Sequence, residues 1–179
     1  MKLNEADGKL FFLLFKPLLY FVNQKYRMYD LPPINRAMDG NVAIKIADKV
    51  WSNPFLIDRY LKARKDELSE DEQAILFSWK NNVRGKFILE RHLKKGSILI
   101  SMQDEKVYQV QGITSTWEEM FPGWPLPIFI EATLIPFRDV IISDGLVSSY
   151  KMRIGPHMAA QFKDLYMKAK REGKIIRSF

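Results

Sequence analysis

Three side chains in the second half of the sequence, Glu90, His92 and Glu131, are of types that carry acid–base or metal chemistry. Glu90 and His92 are two residues apart in an alternating segment, so a regular strand presents both on one face. Completed by a ligand from a neighbouring strand, this pair suits a divalent metal, and it equally suits an exposed cross-strand pair. Glu131 lies among apolar residues, where a carboxyl group can act as a general acid or base. An exposed or ion-paired Glu131 is the ordinary alternative.

The sequence lacks most of the groups on which catalysis and cofactor binding depend. It has two histidines and no cysteine, which excludes thiol nucleophiles, cysteine-ligated zinc and disulfides. Its nine glycines are singly placed and match neither of the common phosphate-binding patterns. We therefore expect no cofactor and a non-enzymatic binding or interaction protein, in a reducing cytoplasm. An enzyme with a carboxylate-centred site made of Glu90, His92 and Glu131 is the alternative.

A second set of residues suits anion binding. Residues 84–95 contain five basic residues against the single acid Glu90, a net of +4, and the whole chain has a net charge of +7. A basic surface of this kind favours an acidic protein or a nucleic acid as partner. Solvated helix faces and lysines that protect sheet edges are the ordinary alternative. The predicted contact residues are Arg84, Lys86, Arg91, Lys94, Lys95, Trp124, Lys168, Lys170 and Arg171.

Aromatic residues follow the basic cluster, which allows a more specific interpretation. Tyr108, Trp117 and Trp124 are close in sequence, and Trp124 belongs to Phe121–Pro127, a loop that three prolines stiffen. Small barrels bind single-stranded nucleic acid with a basic groove and stacking aromatics, so a nucleic-acid-binding barrel is a further alternative. Aromatic residues of short strands are ordinarily core. The loop either plugs the end of the sheet or forms a preformed contact for a partner.

Two periodicities define the elements that position these residues. Apolar residues spaced by three and four predict about four helices over residues 1–82, with the first kinked at Pro17. Alternating apolar residues over 86–155 predict an antiparallel sheet or half-open barrel of about six strands. Residues 156–173 return to a basic helix that we expect to pack on this sheet. The predicted fold class is α+β, and the absence of linkers and repeats predicts one cooperative unit.

Local signals mark where elements begin and turn. Ser69 and Glu72 predict a capping box at the fourth helix, and Ser115–Glu118 predicts another on a single helical turn. Asp144-Gly145 is a dipeptide favoured in tight hairpins, so we expect a hairpin between the fifth and sixth strands.

The first helix contains an apolar run that raises the question of a membrane. Leu10–Val22 is almost continuously apolar, but Lys16 and Pro17 interrupt it, and it is shorter than the about 20 residues that span a bilayer. We therefore do not expect integral membrane insertion and predict a buried helix. Attachment to a membrane surface is the alternative.

One short segment resembles known sequences. Leu134–Phe137 followed by Val140–Leu146 is similar to a segment of uncharacterised bacterial proteins of unknown function. The resemblance covers about thirteen residues and implies a strand–hairpin unit in a bacterial protein. It implies no activity.

Overall fold

The computed structural model describes residues 1–150 and 152–179. These residues form six helices and six strands, with helices at both ends of the chain, which confirms the predicted α+β class. In chain order the elements are α1 (Glu5–Tyr26), α2 (Gly40–Ser52), α3 (Phe55–Ala63), α4 (Glu70–Ser78), β1 (Val83–Leu93), β2 (Gly96–Ser101), β3 (Val107–Gln111), α5 (Trp117–Met120), β4 (Ile128–Phe137), β5 (Val140–Ser143), β6 (Ser148–Tyr150) and α6 (Pro156–Arg171).

The chain divides into two compact units. The helical unit consists of Glu5–Asn82 and contains α1 to α4. The sheet unit consists of Met1–Asn4 together with Val83–Phe179, and contains the six strands, α5 and α6. Cooperative unfolding of the whole chain as one unit stays a prediction.

Aromatic side chains form the core of the helical unit. Phe15 stacks on Trp51 with ring centroids 5.9 Å apart, and Phe11 lies 5.6 Å from Trp79. The buried indole nitrogen of Trp79 has no hydrogen-bond partner among the described residues, and the edge-on ring of Phe15 lies 6.0 Å from the indole. Such aromatic pairs add to the free energy of burial.

Capping residues fix where the short helices of this unit begin. Asp39 accepts hydrogen bonds from the backbone N–H groups of Asn41 and Val42 at the start of α2. Ser69 and Glu72 form the predicted capping box of α4. Helix α1 runs on through Pro17, and the predicted kink there stays a prediction. Within the described part of the chain, no helix combines the length and the apolarity that crossing a bilayer requires.

The strands of the sheet unit close a ring of pairings. β1 pairs with β2 on one side and with β4 on the other, while β3 and β5 link β2 to β4, so the order β1-β2-β3-β5-β4 returns to β1. Four of these ladders are antiparallel, as predicted, and the ladder between β3 and β5 is parallel. The sheet is therefore mixed.

The structure corrects the predicted hairpin at Asp144-Gly145. β5 and β6 both pair antiparallel with β4, through Leu134↔Ser143 and Glu131↔Ser148, so they run in the same direction. The backbone N–H of Asp144 still donates to Thr133 O (3.0 Å), which carries the pairing past the end of β5. β5 and β6 thus follow one another beside β4, and Asp144-Gly145 interrupts what would otherwise be one long strand. The hairpin is at Arg138-Asp139, where Phe137 pairs with Val140.

The two faces of the ring bury separate clusters. The inner face packs residues from all five strands of the ring with Trp117 of α5. On the outer face of β1 to β3, α6 packs Phe162, Tyr166 and Ala169 against an aliphatic surface made of Ile88, Ile98, Ile100 and Val107. The C-terminal helix thus lies against the sheet.

Three chain segments cover one edge of β3. Ile176 makes two backbone hydrogen bonds, to Gln109 N and to Val107 O, both 2.9 Å long. β5 pairs with the C-terminal half of β3. Beyond the strand, Gly112 exchanges backbone hydrogen bonds with Met1 and Leu3. Both ends of the chain are thus part of the sheet unit.

Candidate functional site

A β-bulge separates the first two predicted catalytic residues. Leu89 pairs with Leu99, but Arg91 pairs with Ile98, so Glu90 is an extra residue in β1. A bulge shifts the alternation of side chains by one residue. The expectation that Glu90 and His92 share a face because they are two residues apart was therefore wrong.

Glu90 is committed to an ion pair with its neighbour. Its carboxylate accepts two hydrogen bonds from Arg91, one from Nε and one of 2.8 Å from Nη2. This hydrogen bonding raises the pKa of Arg91. The Arg91 guanidinium also lies 4.1 Å from the ring centre of Tyr166 on α6. The pair therefore fastens α6 to β1, and the Glu90 side chain is only 8% exposed.

His92 and Glu131 have partners of their own. His92 Nδ1 lies 2.8 Å from the hydroxyl of Ser97, its cross-strand neighbour. Burial lowers the pKa of His92, and the negative charge of Glu118 partly offsets this effect. Glu131 accepts a 2.7 Å hydrogen bond from the Tyr150 hydroxyl, which raises the pKa of Tyr150.

The three predicted catalytic residues are thus held by three different interactions. Among residues 1–150 and 152–179, no group of three or more His, Asp or Glu side chains is arranged to hold a metal ion. Catalysis by these residues remains an untested prediction.

The predicted anion contacts lie on several elements. Arg84 and Lys86 are exposed on β1, and Lys86 is the cross-strand neighbour of Glu131. Lys94 and Lys95 are exposed in the turn between β1 and β2. At the end of α6 three exposed cations complement the partial negative charge of the helix C-terminus: Lys168, Lys170 and Arg171. Their role in partner binding stays a prediction.

The aromatic residues predicted to stack on bases divide into core and surface. Tyr108 is 2% exposed and Trp117 is 1% exposed, both in the inner cluster of the ring. Their aromatic faces are used for packing, which favours the ordinary interpretation as core residues over the alternative of a stacking groove. Trp124 is half-buried, and its free side lines a groove.

This groove is the candidate site. It lies between the loop that precedes β4 and the segment that begins with the last residue of β6, and its volume is about 440 Å³. Ligand pockets of proteins range from about 300 to 1,000 Å³. We call it the aromatic groove, and its described lining residues are Trp124, Pro125, Leu126, Pro127, Ile128, Tyr150, Met152, Arg153 and Ile154.

One wall of the aromatic groove is anchored to the core by a series of rings. Trp117 is buried, and its indole N–H donates to Gln111 O at 3.3 Å. Phe121 stacks on Trp117 with centroids 6.4 Å apart, and Trp124 meets Phe121 edge-on at 5.9 Å. The capping box of Thr116 and Glu119 holds α5 just before this loop. The predicted box began one residue earlier, at Ser115, because both tetrapeptides have the required pattern.

The opposite wall is held by Tyr150 and carries a charge. The Tyr150 ring meets Phe129 edge-on at 5.1 Å, and its hydroxyl is bound to Glu131. Arg153 is exposed, and it is the one charged side chain among the described lining residues. The described part of the groove therefore presents apolar and aromatic surface beside the Arg153 cation, which suits an apolar group that carries an anion.

Sequence reasoning identified half of this site. The Phe121–Pro127 loop signalled one wall through its prolines and aromatics. The residues of the other wall were assigned to a sixth strand extending to Ile154, whereas β6 ends at Tyr150. No local signal shows that Met152–Ile154 faces the loop, because that depends on where β6 pairs along β4.

No protein-family model, no curated protein and no solved structure matches the chain. The similarity of Leu134–Phe137 and Val140–Leu146 to uncharacterised bacterial proteins therefore stays a prediction.

Proposed function

We propose that this chain is a non-enzymatic binding protein that holds an apolar, negatively charged group in the aromatic groove. The observation that supports the proposal is the composition of the lining, in which eight apolar or aromatic residues surround Arg153. Stacked rings and prolines form the wall before any ligand arrives, so little conformational entropy is lost on binding. We further infer a cytoplasmic location from the absence of cysteine.

The enzyme alternative has less support because its residues are engaged elsewhere. Glu90 is paired with Arg91, and Glu131 accepts from the Tyr150 hydroxyl. A general acid or base needs to reach the reacting group within hydrogen-bond distance. A catalytic role would require these carboxylates to leave the interactions that hold α6 and Tyr150.

The face on which small barrels usually bind nucleic acid is covered in this chain. Five-stranded Greek-key barrels of the OB-fold class bind oligonucleotides across the face of strands 2 and 3. In this chain α6 packs on that side of β2 and β3, where Phe162 and Tyr166 cover Ile98 and Ile100. A nucleic acid bound across these strands would therefore have to displace α6.

The apolar area that a ligand can bury in the groove sets its expected affinity. Burial of about 150 Å² of a phenyl ring contributes about 4 kcal/mol at 25 cal/mol per Å². That gain corresponds to a dissociation constant of about 1 mM, before the cost of immobilising the ligand. A single apolar group is thus expected to bind weakly, and a method suited to millimolar affinity is needed.

Methyl-resolved NMR titration of the whole protein with N-acetylphenylalanine tests the proposal. We expect saturable shifts of the Ile128, Met152 and Ile154 methyl signals. N-acetylphenylalaninamide lacks the carboxylate and should bind about threefold more weakly, as expected for a solvent-exposed ion pair. Uniform shifts across the protein, or none at these methyl groups, would contradict the proposal.

Two variants and one control identify the site. Trp124→Ala removes most of one wall and should weaken binding at least about tenfold. Arg153→Gln should remove the preference for the carboxylate and leave the affinity for the amide unchanged. Lys95→Gln changes an exposed cation outside the groove, in the β1–β2 turn, and should leave both affinities unchanged.

A further inference from the structure

We propose, building on the proposed function, that the partner is an extended polypeptide segment that adds as a strand to the outer edge of β6. One apolar side chain of this segment enters the aromatic groove, and a carboxylate of the same segment meets Arg153. Addition of a peptide strand to an exposed sheet edge is a general mode of recognition, in which backbone hydrogen bonds give affinity and a side-chain pocket gives specificity.

The register of the sheet shows which backbone groups of β6 face outward. Thr133 O accepts from Asp144 N–H, so the polar backbone groups of Thr133 face the side of β4 on which β5 and β6 lie. Alternation along β4, which pairs with β1 without a register shift, turns Phe129 and Glu131 to that same side. These two residues pair with Tyr150 and Ser148. The N–H and C=O of Ser149 therefore point away from β4.

This outward edge is accessible and adjoins the groove. All three residues of β6 are exposed, and in the described sheet β6 pairs with β4 alone. Tyr150 belongs both to β6 and to the groove lining. Residues two apart on a strand lie about 6.6 Å apart. An added strand bonded to Ser149 thus carries a side chain to the groove within one or two residues.

The charge of the site selects the chemistry of the added strand. Arg153 lines the groove, whereas the charge of Lys86 is offset by Glu131, its cross-strand neighbour. A strand that carries a carboxylate close to its apolar residue matches the Arg153 cation. An oligonucleotide offers an aromatic base and an anion, but its backbone lacks the N–H donor and carbonyl acceptor that Ser149 would pair with.

Backbone methylation of a defined peptide tests strand addition. The probe is acetyl-Val-Asp-Phe-Asp-Val-Ser-amide, titrated into the whole protein by the same NMR method. Two further peptides carry N-methyl groups, one on the Val and Phe residues and the other on the Asp residues. Because alternate N–H groups of a strand face opposite edges, one methylated peptide should bind about tenfold more weakly and the other like the parent.

A change in the edge strand gives the matching test from the protein side. Ser149→Pro removes the outward N–H, and proline is tolerated at outward positions of edge strands. This substitution should weaken binding of the parent peptide about tenfold, as methylation of the peptide does, and leave binding of N-acetylphenylalanine unchanged. Ser148→Ala keeps the backbone of β6 and serves as the control.

The outcomes separate the two proposals. If both methylated peptides bind like the parent, or if the peptide binds no better than N-acetylphenylalanine, strand addition is wrong and the groove proposal stands. If a short oligothymidine displaces N-acetylphenylalanine more strongly than the peptide does, the partner is a nucleic acid. If N-acetylphenylalanine itself fails to bind, the proposed function fails first.

Discussion

The outer face of β1 to β3 and the aromatic groove are both apolar surfaces of the sheet unit, and they differ in what covers them. On the first, α6 supplies Phe162, Tyr166 and Ala169, and the strand residues beneath are fully buried. On the second, Tyr150 stays 39% and Met152 55% exposed. The chain saturates the first surface with its own side chains, so that surface contributes stability. The second keeps apolar area available for a ligand.

Truncating one side chain on each surface gives the largest expected contrast. Phe162→Ala should lower the free energy of unfolding of the sheet unit by about 4 kcal/mol, because it leaves a cavity under α6. Met152→Ala in the groove should change it by about 0.5 kcal/mol or less. Urea denaturation followed by circular dichroism measures both, with the exposed Met158→Ala on α6 as control. A large loss from Met152→Ala would show that the groove is part of the core.

Glycine substitutions compare a close-packed position with an open one. A Cβ at Gly112 would lie 1.8 Å from Ser115 O, so Gly112→Ala should cost about 3 kcal/mol through backbone displacement. A Cβ at Gly85 meets no atom within 4 Å, and Gly85→Ala should stabilise the strand by about 0.5 kcal/mol. Thermal and urea unfolding report both changes. Equal effects would contradict the assigned packing around Gly112.

The capping box of α5 connects stability to the groove wall. Thr116→Ala removes the hydrogen bond to Glu119 N–H and should cost about 1 kcal/mol. Because α5 holds the loop that carries Trp124, binding of N-acetylphenylalanine should also weaken by a small factor. Thr114→Ala, at an exposed position two residues earlier, is the matched control. Weaker binding by the Thr114 variant would assign the effect to the loop as a whole.

The smallest expected effect concerns His92 and pH. Burial lowers the pKa of His92 in the folded state, so the folded protein favours the neutral ring while the unfolded chain takes up a proton near pH 6.5. The stabilising contribution is therefore complete above about pH 6.5 and is lost as the pH falls toward the folded pKa. Urea unfolding at pH 7.5 and 5.5 should show a smaller pH-dependent loss for His92→Gln. The control His157→Gln, at an exposed position, should lose as much unfolding free energy between pH 7.5 and 5.5 as the unsubstituted protein does.

Local sequence signals predicted the elements well because their causes are local. Ser69 and Glu72 satisfy each other's backbone donors whatever the rest of the chain does, and the predicted box is present. The six strands and the packed C-terminal helix follow in the same way from alternation and from three- and four-residue spacing. Phe162 and Tyr166 lie four residues apart, so one face of α6 presents both to the sheet.

The parts that could not be predicted depend on pairing between distant segments. The bulge at Glu90 exists because Arg91 pairs with Ile98, and nothing within β1 specifies that register. Asp144-Gly145 is chemically suited to a hairpin, but Asp144 N–H bonds to Thr133 and prolongs the same strand. The groove shares this cause, since Met152 faces Trp124 only through the position of β6 along β4.

The pairing of Ile176 with β3 affects how the protein can fold during synthesis. β3 is made well before residue 176, and until that residue leaves the ribosome the N–H of Gln109 and the C=O of Val107 have no strand beside them. A chain emerging from its N-terminus therefore exposes an unsatisfied template for other nascent strands from the time β3 leaves the ribosome until residue 176 follows. Pairing with Ile176 removes this template.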